Sequence, residues 1–250
     1  MAATAPILEQ IAREAGALIM RHYRAAPLAG KSQARLKPDN SPVTDADEEA
    51  ERLILAALAK AFPGVPVVAE EEAAAGRLTA AAARFFLVDP LDGTKEFLSR
   101  NGEFTVNIAE VVDGVPVTGV VYAPAVERLF LGGKDGAYEG ARKIHARPAP
   151  ADGLVAVGSR SHNDAATAEF LKAFPVKTFI PAGSSLKFCL VAAGEADIYA
   201  RGGRTMEWDV AAGHAVLAAA GGSVSDWAGA PLRYGKKGFE NPAFVARGIP

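Results

Sequence analysis

The order in which the apolar residues change their spacing constrains this chain more than any other feature. Ile7, Leu8, Ile11, Ala15, Leu18 and Ile19 recur at helical intervals and predict an amphipathic first helix. After a polar loop from Lys31 to Pro42, a second helix is expected from about Ala46 to Ala61, with Leu53, Ile54, Ala57 and Leu58 on its buried side. Phe62-Pro63-Gly64 ends it. The spacing then becomes strand-like. Val65–Ala69 and Phe85–Val88 are short apolar runs, and Phe104–Val112, Val115–Tyr122 and Glu127–Leu131 read as successive antiparallel strands, with Asp113-Gly114 as a hairpin turn. Beyond Pro148-Ala149-Pro150 and Asp152-Gly153 the pattern alternates. Strands are expected at 154–157, 176–180 and 196–200, helices at 164–173, 184–193 and 207–220, and short strands near Ser223 and Ala243. Two helices, a meander and an α/β alternation predict helices layered on sheets. The Pro/Gly break separates an expected N-terminal lobe (1–150) from a C-terminal lobe (151–250) of one domain.

Half of the 250 residues are hydrophobic, enough for a sizeable core. The formal net charge of −2 gives no whole-protein attraction to nucleic acid or membrane phosphates. The single cysteine, Cys189, cannot form an internal disulfide, and with four scattered histidines it argues against a Cys/His zinc site. Cys189 reads as a buried helix residue rather than a nucleophile. No basic segment leads into an apolar run at the N-terminus, and no apolar stretch is long enough to span a bilayer. The expectation is a soluble cytoplasmic protein without a transmembrane segment, with peripheral inner-membrane association left open.

The richest segment is Asp89-Pro90-Leu91-Asp92-Gly93-Thr94, between an apolar strand and a helix-like run. Two carboxylates and the Leu91 carbonyl suit a hard cation such as magnesium. Pro90 stiffens the turn, and Gly93-Thr94 open a helix whose free amides attract phosphate. Alone, the same turn is more simply explained by Asp89 and Asp92 capping it, with Thr94 solvated. Three further acidic features stand at element ends. Glu70-Glu71-Glu72 close a predicted strand and can be a solvated charge run; Asp47 in Thr44-x-x-Asp47 can complete a capping box; Asp209 can serve the dipole of the last long helix.

Taken together, Asp47, Glu70-Glu71, Asp89 to Thr94 and Trp208-Asp209-Val210-Ala211-Ala212-Gly213 resemble the inositol monophosphatase family of magnesium-dependent, lithium-sensitive phosphatases, across essentially the whole chain. A second set is similar to the bacterial 3′(2′),5′-bisphosphate nucleotidase branch, which converts adenosine 3′,5′-bisphosphate to AMP and phosphate in sulfur assimilation. It comprises Ser41-Pro42-Val43-Thr44, Gly102 to Ala109, Gly158-Ser159-Arg160-Ser161-His162, Gly183 to Cys189 and Ala196 to Arg201.

The resemblance implies an α/β/α/β/α sandwich with the metal site between two lobes. It implies two or three Mg2+ ions held by Glu70, Asp89, the Leu91 carbonyl, Asp92 and Asp209. Asp47 and Thr94, with Glu70, would align and deprotonate the attacking water, and the Gly93 and Thr94 amides would hold the phosphate. Ser159, His162, Ser184, Lys187 and Arg201 would contact the nucleotide, and Lys37 would approach the metal site. Lys187 on a solvated helix surface, or His162 as a helix cap, are the plainer alternatives. The runner-up activity is an inositol monophosphatase-type sugar phosphatase. A catalytically silent homologue is disfavoured because every mapped ligand is present.

Overall fold

The computed structural model describes residues 4–25, 34–37, 42–159 and 164–249. Helices α1 (Thr4–Ala25) and α2 (Asp45–Ala61) lie where the periodicity predicts them. Part of the stretch read as loop instead pairs as two short antiparallel strands, β1 (Arg35–Leu36) and β2 (Pro42–Val43). Strand β3 (Val67–Ala69) runs directly into a short helix, α3 (Glu70–Ala74). The three glutamates therefore open a helix and do not simply close a strand. The reason is a contact distant in sequence: Glu51 of α2, 3% exposed, accepts the Glu71 and Glu72 amides at 2.7 and 2.8 Å. It thus satisfies two of the free N–H groups of the first turn.

Next come β4 (Arg84–Asp92), α4 (Thr94–Ser99), β5 (Thr105–Val112), β6 (Val115–Ala123) and β7 (Arg128–Gly133). Two unexpected short strands follow, β8 (Gly136–Glu139) and β9 (Arg142–Ile144). With β3 they form a seven-stranded sheet in sequential order, β3 to β9, antiparallel except for the β3–β4 pair. Asp113 and Gly114 have φ of 49° and 74°, as a tight turn matched to strand twist requires.

The remaining elements are β10 (Leu154–Gly158), α5 (Ala165–Leu171), β11 (Val176–Pro181), α6 (Leu186–Ala192) and β12 (Ile198–Arg201). They continue through α7 (Glu207–Ala219), β13 (Ser223–Asp226) and β14 (Phe244–Arg247). The five strands form a second sheet in the order β11-β10-β12-β14-β13.

Helices α1 and α2 cover one face of the larger sheet, and α7 crosses its other face. Helix α6 packs beside α7 and against the smaller sheet, whose outer face is covered by α5. This is the expected α/β/α/β/α layering. Strand β4 shows why its sequence is an unbroken apolar run: Phe86 and Val88 join the core under α1 and α2, while Phe85 and Leu87 join the core under α7. Among the described residues no helix is long and apolar enough to cross a membrane.

Candidate active site

Asp89 is the next residue in the Phe85–Leu87 series, so the pleat turns it toward the α7 layer. Strand β3 pairs with β4 only as far as Val88, so Pro90, which lacks an N–H, breaks no ladder bond there. On the other side Asp89 pairs with Asn107 and Asp92 with Thr105, with a bulge between. The bulge bends the strand end, and the Leu91 amide donates to Asp89 Oδ1 at 3.0 Å. Gly93, with φ of 91°, makes the turn into α4.

Two other helix starts converge on this end. Helix α3 brings Glu70 and α7 brings Asp209. Carboxylate oxygens of Glu70, Asp89 and Asp209 lie within 4.8 Å of one another. Leu91 and Asp92 line the same cleft, although Asp92 is outside that tightest trio among the described residues. Burial, followed by the charges of Glu70, Asp92 and Asp209, pushes the Asp89 carboxyl well above its ordinary range. Asp209 is raised in the same way by burial, Asp92 and Glu70. Asp92 is pushed up to about 6, chiefly by burial, with Lys187 pulling it down. Like charges held this closely out of water favour a bound cation. The donors are hard oxygens with no Cys or His among them, so the set fits magnesium or a similar ion.

Lys37 does approach the site. Its Nζ lies 2.6 Å from Glu70 Oε1 and 2.7 Å from Glu71 Oε1. Burial works against its charge, but the two glutamates outweigh it and raise its pKa.

Asp47, 1% exposed, uses its two oxygens differently. Oδ2 accepts the Thr44 amide at 2.8 Å and the Thr44 hydroxyl at 2.6 Å, while Oδ1 accepts the Thr94 hydroxyl at 3.1 Å. The capping box and the contact with Thr94 therefore coexist. Burial raises the Asp47 carboxyl against the opposing effect of the Thr44 hydrogen bonds.

The cleft, about 280 Å³, is completed from the second half of the chain by Ser159, Ser184, Lys187 and Arg201. Lys187 is not on a solvated helix surface: it is 6% exposed, its Nζ donates to the Ser184 carbonyl at 2.6 Å, and it lies 5.4 Å from the Tyr199 ring centroid. Burial, opposed by Asp92 and aided by Arg201, lowers its pKa to about 8. Ser184 has φ of 43°, and its hydroxyl is buried without a hydrogen-bond partner. An orphaned donor at a polar cleft fits an acceptor on a ligand. Cys189 is fully buried, and burial drives its thiol well above its usual range. His162 lies outside the described residues, as do Ser41, Arg160 and Ser161. The helix after His162 is capped by Asp164, whose Oδ1 accepts the Thr167 amide at 2.7 Å.

Asn107 and Ser185 fall within the segments that carry the nucleotidase-branch resemblance, but sequence reasoning gave neither a role of its own. Asn107 Nδ2 donates to Ser185 Oγ at 3.1 Å and to Asp92 Oδ2 at 3.4 Å, and Ser185 Oγ donates to the Asp209 carbonyl at 2.6 Å. The pair ties β5 to α7 across the site. A buried amide in a strand that pairs it with Asp89 was the available signal.

The sequence profile of the inositol monophosphatase family matches residues 2–247, and the chain belongs to this family of metal-dependent phosphatases. Among its relatives is the 3′(2′),5′-bisphosphate nucleotidase CysQ of Escherichia coli O157:H7, 47% identical over 241 residues, covering 94% of this chain and 96% of the relative. The CysQ of Buchnera aphidicola is 42% identical over 80% of this chain and 76% of its own length. Among solved structures, CysQ from Bacteroides thetaiotaomicron superposes with a TM-score of 0.81 at 36% identity, covering 99% of this chain and 97% of that one. An inositol monophosphatase from Anabaena gives 0.79 at 26% identity, covering 98% and 90%.

Proposed function

We propose that this phosphatase is a magnesium-dependent 3′(2′),5′-bisphosphate nucleotidase that hydrolyses adenosine 3′,5′-bisphosphate to AMP and phosphate. The observation that carries the reading is a single cleft lined both by the Glu70, Asp89 and Asp209 carboxylates and by Lys187 and Arg201. The names of the CysQ relatives support it. A monophosphate needs only the first group, whereas a bisphosphate gives the second group something to hold.

Glu70, Asp89, the Leu91 carbonyl, Asp92 and Asp209 would hold the magnesium. When bound, magnesium supplies positive charge against phosphate oxygens and makes water easier to deprotonate. Thr94 gives its hydroxyl proton to Asp47 in their hydrogen bond, so its oxygen is free to accept from an attacking water and orient it. A proton leaving that water passes through Thr94 to Asp47, whose raised basicity suits the task. The Gly93 and Thr94 amides face the phosphate, and Lys187, Arg201, Ser159, Ser184 and His162 hold the nucleotide and its second phosphate.

The test is phosphate release from adenosine 3′,5′-bisphosphate by protein treated with a chelator. Activity is expected to vanish and to return with magnesium, with calcium a poor substitute because its looser coordination misplaces water and phosphate. Full activity in excess chelator would overturn the proposal.

A further inference from the structure

Glu207, two residues before Asp209, is wholly buried at 0% exposure. No role proposed above uses it. Its Oε2 accepts the Gly235 amide at 2.6 Å, and its Oε1 accepts both the Lys236 amide at 2.9 Å and the Lys236 ammonium at 2.6 Å. The same ammonium donates to Asn241 Oδ1 at 3.2 Å and to the Arg233 carbonyl at 2.5 Å. Asn241 passes the connection back toward α7: its Nδ2 donates to the Met206 carbonyl at 2.8 Å and its amide to the Thr205 carbonyl at 2.9 Å. The Met206 amide then donates to Asp209 Oδ2 at 2.8 Å. The network is a closed ring that begins and ends on the first turn of α7.

The Glu207–Lys236 pair joins a buried glutamate to a lysine side chain that is 31% exposed, and such a pair is a weak source of stability, because desolvation of the buried partner offsets most of a screened attraction. What the ring offers is geometry. It fixes the Thr205–Met206 turn, and that turn's amide fixes the Asp209 carboxylate. We propose that Glu207, Lys236 and Asn241 are positioning residues for divalent-metal binding, acting through Met206 on Asp209. The inference rests on reading Asp209 as a metal ligand.

The test is calorimetric titration of metal-stripped protein with Mn2+, well below its unfolding temperature, for wild type, Glu207→Gln and Asn241→Ser. Groups that orient a ligand typically contribute tenfold or more to metal affinity, so a loss of about tenfold is expected in both variants. The magnesium concentration for half-maximal hydrolysis should rise in step, with KM at saturating magnesium unchanged. Asn241→Ser alters no charge and leaves the Glu207–Lys236 pair intact. It therefore separates orientation from simple Coulomb attraction, and it carries the test if Glu207→Gln does not fold. Lowered thermal stability with unchanged Mn2+ affinity would make the ring merely structural and overturn the inference. Weakened Mn2+ binding in a protein that does not cleave the bisphosphate would uphold the inference and reject the nucleotidase reading.

Discussion

Asp47 and Asp209 each hold the start of a helix and also meet groups that line the cleft. Asp209 Oδ2 accepts the Met206 amide at the start of α7, and the same carboxylate group stands within 4.8 Å of Glu70 and Asp89 oxygens. Sequence spacing suggests a capping box for Asp47 and a helix-dipole role for Asp209, but it cannot reveal that one side chain does two things. Glu70 was harder to read, because its placement depends on Glu51, far away in sequence, holding the next two amides. Asp92→Asn and Asp209→Asn keep the side-chain shape and an acceptor oxygen while removing charge from the proposed ligand set. Turnover is expected to fall on the order of a hundredfold or more at saturating magnesium, with an unchanged circular dichroism spectrum. Metal-free Asp209→Asn should be at least as stable as wild type, because a buried like-charge repulsion is removed. Near-normal turnover in either variant would reduce that residue to a cap.

At the scale of elements, α7 depends on glycines in the sheet beneath it. A Cβ on Gly119 would lie 2.5 Å from the Ala212 carbonyl oxygen and 2.8 Å from the Ala215 Cβ. Backbone must move to admit it, and the helix that moves carries Asp209. Gly119→Ala should cost about 1–3 kcal/mol in urea unfolding and also raise the magnesium requirement. Unchanged magnesium dependence would mean that α7 is not set by this contact. The same helix carries His214, whose Nδ1 lies 2.8 Å from the Tyr234 hydroxyl oxygen and whose pKa is lowered to about 4 by burial. Between about pH 4 and 6.5 the unfolded chain binds a proton at His214 that the folded protein does not, so this contribution to stability rises with pH and is lost on acidification. The stability advantage of wild type over His214→Gln should shrink by about 2 kcal/mol from pH 7 to pH 5. An equal advantage at both pH values would contradict the burial of a neutral imidazole. The long helices and the first meander strands were legible because their periodicity runs for many residues. Strands β8 and β9 were not, because four and three residues are too few for alternation to register, and they exist by adding to the edge that β7 offers.

At the scale of the whole molecule, the site is assembled from both halves of the chain. The end of β4 and the starts of α2, α3 and α4 come from the first half, while α6, β12 and the start of α7 come from the second. The acidic and basic residues that line the cleft were recognisable in sequence because they cluster in short segments at element ends. Their common focus followed only from the family resemblance and not from spacing, since it depends on α7 crossing the larger sheet and on Asn107 and Ser185 linking Asp92 to the Asp209 backbone. In the proposed function, one part of this cleft handles the scissile phosphate while Lys187 and Arg201 hold a second one. A charge-assisted hydrogen bond is worth roughly 1.5–3 kcal/mol, which corresponds to about ten- to a hundredfold in specificity. The deciding measurement is the ratio of kcat/KM for adenosine 3′,5′-bisphosphate to that for inositol 1-phosphate at fixed magnesium, in wild type, Lys187→Ala and Arg201→Ala. The expected wild-type ratio is well above one and falls by about that factor in each variant, with little change for the inositol ester. A wild-type preference for inositol 1-phosphate, or a ratio unmoved by both substitutions, would contradict the proposed function.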